Sequence, residues 1–85
     1  MQSIAMYRNR GGEPLRLIAC FKGYAIIEQM TSEYTPFVVA YRPDFSALYL
    51  EWAQGHYCEC LEAAEKLFMK KIFAMYEEEQ EDETE

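Results

Sequence analysis

No apolar run in this chain approaches the roughly 18–20 residues that a bilayer-spanning helix requires. The opening residues Met1 to Met6 lack a basic segment and a long apolar stretch, so they do not read as a secretory signal. Cysteine occurs three times, an odd number that a secreted disulfide scaffold would not use, and the expectation is a cytoplasmic protein with reduced thiols. There is no glycine-rich phosphate loop, no HExxH, no serine nucleophile elbow, no paired carboxylates in an evident cleft setting, no internal repeat and no low-complexity segment before the C-terminus. A clustered basic patch is also lacking. The basic grouping near the start, Arg8, Arg10 and Arg16, is opposed by the acidic end, so direct nucleic-acid binding is not expected.

What the chain does have is an acidic end. Its last nine residues, Glu77 to Glu85, hold seven of the fifteen acids and no base, while the other eight acids are matched by the eight lysines and arginines. The formal charge of −7 thus belongs to a tail on a neutral body. Like charges at that density repel, so residues 77–85 read as a disordered acidic tail and residues 1–76 as a single domain. The tail has two readings. It is a solubilising end, or it competes with nucleic acid for a basic groove or docks on a basic partner.

The body has the composition of an ordered globule, 51% hydrophobic and 15% aromatic. A chain of 85 residues buries only about 60–65% of its unfolded surface, so some of the seven Tyr, five Phe and one Trp must lie outside the centre. Residues 3–8 read as a short edge strand before the Gly11-Gly12 turn, with a loose arm as the alternative. Leu15 to Met30 reads as one long strand bent at Gly23, preferred over a hairpin because Lys22-Gly23 is a poor two-residue turn. Phe37 to Arg42 is a further strand. Ala47 to Trp52 is another by alternation, ending at Gln54-Gly55. From about Tyr57 the period becomes helical, with Leu61, Ala64, Phe68, Ile72 and Met75 on one stripe. Glu77 to Glu79 oppose the helix dipole, so fraying is expected there. The resulting fold class is α+β: an antiparallel meander of three to four strands packed on one face by a long C-terminal helix.

His56, Cys58 and Cys60, with Cys20, form the one constellation that suggests chemistry. A metal- or thiol-based module built on these four residues is the alternative function. Single-residue gaps at a helix start would aim Cys58 and Cys60 about 160° apart, and ligand pairs in small zinc domains usually use wider spacing. The two cysteines therefore read as small semi-buried apolar residues, and no metal or cofactor is expected. Neither a catalytic role nor a small-molecule substrate emerges, so the chain reads as a non-enzyme.

A second stripe on the helix, Met69, Phe73 and Tyr76, lies to one side of the main one. Methionine and aromatics are enriched at protein interfaces. These three residues and the adjoining Glu77, Glu78 and Glu79 are the candidate partner-binding set. The leading functional expectation is a small non-catalytic interaction domain that binds a protein partner or a second copy of itself. An inhibitor or regulator from a phage or mobile element would fit.

Tyr24 to Ile27, Phe37 to Tyr41 followed by Pro43-Asp44, Gln54-Gly55, and Leu61-Glu62-Ala63-Ala64 faintly resemble the HicB-type antitoxin domain over about half the chain. The pattern departs from that family in the insertion Phe45 to Ala53 and in the lack of a glycine after Pro43-Asp44. The resemblance implies no more than a small inhibitory partner protein.

Overall fold

The structure, a computed structural model, describes residues 6–46 and 48–83, with side chains described as far as Glu77. Five strands and one helix follow in order: β1 (Met6–Arg8), β2 (Pro14–Phe21), β3 (Tyr24–Gln29), β4 (Phe37–Tyr41), β5 (Gln54–Cys58) and α1 (Leu61–Glu83). The strands form one antiparallel sheet whose spatial order is the chain order. The expected α+β meander with a C-terminal helix is the observed fold.

The β1–β2 connection turns at Gly12, whose φ of 85° is open to glycine at no steric cost. Asn9 holds it: its carbonyl accepts from Gly12 N at 2.9 Å and its side-chain Oδ1 accepts from Glu13 N at 2.9 Å. The single bent strand expected over Leu15 to Met30 is instead a hairpin. Lys22 and Gly23 form its two-residue turn with φ of 51° and 83°, both left-handed as a primed turn requires. Lysine is a poor residue there, yet its ammonium lies 4.5 Å from the centre of the Tyr76 ring, a contact that offsets part of the backbone cost. The irregularity assigned to Gly23 lies earlier. The register jumps between Leu17, opposite Ile27, and Ala19, opposite Ile26, leaving Ile18 as the extra residue of a bulge.

The bulge and the two central strands explain how the sheet is buried on both faces. On one face, Leu15, Ala25, Ile27, Val38, Ala40 and Leu50 form a cluster joined by Tyr7, Leu17 and Trp52. On the other, Ile26 and Val39 pack against Ala64, Phe68 and Ile72 of α1, with Ala19 now on this side of the bulge. β3 and β4 therefore read as continuous apolar runs, each buried Val or Ile contributing about 1.5–3 kcal/mol.

The strand expected over Ala47 to Trp52 is absent among the described residues; Ala47 itself lies outside them. The chain between β4 and β5 makes only an isolated bridge, Asp44 with Glu51. Asp44 Oδ1 accepts from Ser46 N at 3.0 Å and from Ser46 Oγ at 2.7 Å, which turns the chain over the sheet. Leu50 N then donates to Arg8 O at 2.9 Å, so this segment covers the first cluster with Leu50 and Trp52 while Leu48 stays 88% exposed. An ion pair between Arg10 and Glu51 ties it to the β1–β2 turn. The last strand comes later, at β5, where Gln54-Gly55-His56-Tyr57-Cys58 pairs along the whole of β4.

Because Tyr57 and Cys58 belong to β5, the helix starts at Leu61 and not near Tyr57. Ala64 N donates to Cys60 O at 3.2 Å, the first helical bond, and Glu62 is the acid of the first turn. The expected stripe faces the sheet, with Ala64, Phe68 and Ile72 buried and Leu61 and Met75 half-buried. The expected break at Glu77 does not appear in the backbone, since α1 continues to Glu83. Glutamate and glutamine are good helix formers, and the dipole cost of each acid is only about 0.3–1 kcal/mol. Positions 84–85 of the tail lie outside the described residues.

Candidate functional site

The second stripe of α1 is on the surface. Met69, Phe73 and Tyr76 are 47%, 58% and 37% exposed, one above the next at steps of four and three along one flank. Lys22 from the β2–β3 turn sits over Tyr76 and fixes one edge of this flank. Phe21, at the end of β2 beside that turn, is also half exposed. Among the residues whose side chains are described, Ile72 is the last buried one of α1 and Met75 is half-buried, while the backbone stays helical to Glu83. Glu77 is exposed directly after Tyr76, and the backbone of Glu78 and Glu79 continues the helix from there. The sequence-based set thus follows along one helix, with Met69, Phe73, Tyr76 and Glu77 exposed and Glu78 and Glu79 placed by their backbone alone.

The thiol and imidazole constellation does not assemble in this way. Cys20 is in β2 opposite Ala25, while His56 and Cys58 are in β5 opposite Val39 and Phe37. Two strands intervene, which at about 4.8 Å per spacing puts Cys20 about 14 Å across the sheet from β5. Cys60 is exposed at the helix start. Among the described residues no three His, Cys, Asp or Glu side chains are grouped closely enough to hold a metal ion. The helical geometry expected for Cys58 and Cys60 is corrected, since the two straddle a strand end and a helix start. Cys58 Sγ approaches the backbone oxygen of His56 at 3.8 Å. Burial against α1, reinforced by charge at Cys60, pushes the Cys58 thiol above its usual range, which opposes thiolate formation.

Sequence reading missed two open grooves beside the covering segment. One, of about 420 Å³, runs between β1 and Leu48-Tyr49. The other, of about 390 Å³, lies by the Arg10–Glu51 pair between Trp52 and Tyr57. Neither was legible, because both depend on residues 43–53 folding over the sheet. No helix of the described residues is long and apolar enough to cross a membrane. No protein-family model matches the chain, the HicB-type antitoxins included, and no curated protein or solved structure matches it either.

Proposed function

We propose that this chain is a small non-catalytic interaction domain that binds a protein partner through Met69, Phe73 and Tyr76, with Glu77, Glu78 and Glu79 supplying charge at the same end. The observation that carries the reading is the exposed apolar flank of α1 formed by Met69, Phe73 and Tyr76. Large apolar side chains aligned on one projecting surface mark interaction sites more often than isolated ones do. The neighbouring acids favour a partner with a basic surface, by steering and by rejecting acidic competitors. An inhibitor or regulator from a phage or other mobile element, working in the cytoplasm without touching nucleic acid or membrane itself, suits the small size, the acidity and the lack of chemical motifs. A metal- or thiol-based module draws less support, because Cys20 stands apart from His56, Cys58 and Cys60.

Affinity purification of the intact chain beside Phe73→Asp and a triple Glu77→Gln, Glu78→Gln, Glu79→Gln variant tests this reading. A bound protein lost from both variants is the expected result. Recovery of the same proteins with all three chains would overturn it.

A further inference from the structure

The exposed flank of α1 continues beyond its three apolar residues. Glu62, Lys66, Met69, Phe73 and Tyr76 are all exposed and follow one another at steps of four, three, four and three. Their mean spacing of 3.5 residues lines them up as a seam along one flank, apolar from Met69 to Tyr76 and begun by the Glu62–Lys66 ion pair. The seam lies beside the sheet-facing stripe and is bounded at Tyr76 by Lys22 of the β2–β3 turn.

After Glu62 and Glu65 in its opening turns, charge on α1 falls in two blocks. Lys66, Lys70 and Lys71 precede Phe73, and every charged residue from Glu77 to Glu83 is acidic. Two copies of α1 running antiparallel would place the basic block of each against the acidic block of the other. In the layer where Phe73 meets the partner's Tyr76, the position flanking the seam at Lys70 falls beside the partner's Glu77. Lys70 and Glu77 are both exposed. By two-fold symmetry each of these contacts occurs twice. A parallel pair would instead lay the two acidic ends side by side and align the helix dipoles unfavourably.

We infer that α1 pairs antiparallel with α1 of a second copy, through Phe73 and Tyr76 at the centre, with Met69 one layer out on each side and Lys70–Glu77 ion pairs flanking them. This rests on the interaction-domain reading above and names its partner as the chain itself. Three apolar side chains per copy fall well short of the roughly 800 Å² per partner of a standard interface, so the association is concentration-dependent, in the micromolar range.

Sedimentation of the full chain from micromolar to millimolar concentration reads this directly, with the twofold mass appearing as concentration rises. Phe73→Asp holds the chain at single mass, with far-UV circular dichroism confirming its fold. Lys70→Glu sets acid against acid at both symmetric positions and weakens the dimer about tenfold. Adding Glu77→Lys to it restores the opposite pair and returns affinity to within about threefold of the original. Should Phe73→Asp unfold, the charge exchange alone decides. A single-chain mass throughout, or a double variant no tighter than Lys70→Glu, overturns the inference. A monomeric chain that loses another protein partner on Phe73→Asp would defeat self-association while leaving the interaction reading in place.

Discussion

The indole of Trp52 lies across the backbone of Gly55, where a Cβ would stand 2.7 Å from Nε1 and 3.0 Å from Val38 Cγ1. Glycine is needed there for space, not for its φ. Gly55→Ala should displace the ring that closes the first core cluster, destabilising the fold by about 1–3 kcal/mol. Trp52 is the single tryptophan, so its fluorescence reports the change. An unchanged emission maximum and unchanged urea midpoint would show that the ring does not need this gap.

Gly23 presents the opposite case. Nothing lies within 4 Å of the Cβ it lacks, but its φ is 83°. Gly23→Ala therefore carries a backbone cost alone, about 1–2 kcal/mol, with no change in core packing. Denaturant unfolding checks the size, and near-ultraviolet circular dichroism checks that the aromatic environment is preserved.

Phe68 and Phe73, five residues apart on α1, should differ sharply. Phe68 is 8% exposed against Ile26 and Val39, and its truncation to alanine should cost about 3–5 kcal/mol, enough to threaten the whole domain. Phe73 is 58% exposed, and Phe73→Ala should stay within about 0.5 kcal/mol. Equal losses in urea unfolding, measured at concentrations where the chain is monomeric, would place Phe73 in the core and withdraw it from any interface.

Cys58 gives a pH dependence of definite sign. Its thiol is raised above the ordinary 9.0, first by burial and then by Cys60. The folded state therefore holds that proton more tightly than the unfolded chain does. This contribution is complete below the unfolded value and is lost as pH climbs through the raised folded one. Stability should fall on the alkaline side of pH 9.0, and Cys58→Ser should flatten that decline. At neutral pH, alkylation should reach the exposed Cys20 and Cys60 before Cys58.

The helix stripe was legible from its unbroken helical period, and β4 from a run of β-branched and aromatic residues that suits a sheet buried on both faces. The β2–β3 hairpin was hidden by Lys22, a residue that turn chemistry disfavours and that Tyr76 supports from 54 positions away. Leu48, Leu50 and Trp52 imitate a strand by alternating, yet only Leu50 and Trp52 reach the core, and they do so from an irregular segment. β5 was missed for the converse reason. Its residues show no apolar alternation, and its place comes from pairing with β4. The exposed flank Met69-Phe73-Tyr76 was readable from spacing, whereas the positions of Cys20, His56 and Cys58 depended on the strand that was not.

Every strand bonds only its neighbour in the chain, and the longest gap between partners is the segment from Arg42 to Ala53. The sheet ladder itself consequently demands no distant pairing, and contacts such as Leu50 with Arg8 and Lys22 with Tyr76 close over it afterwards. Hairpins can zip up one after another, with closure entropy met in small instalments, so refolding should be quick for a protein so rich in β structure.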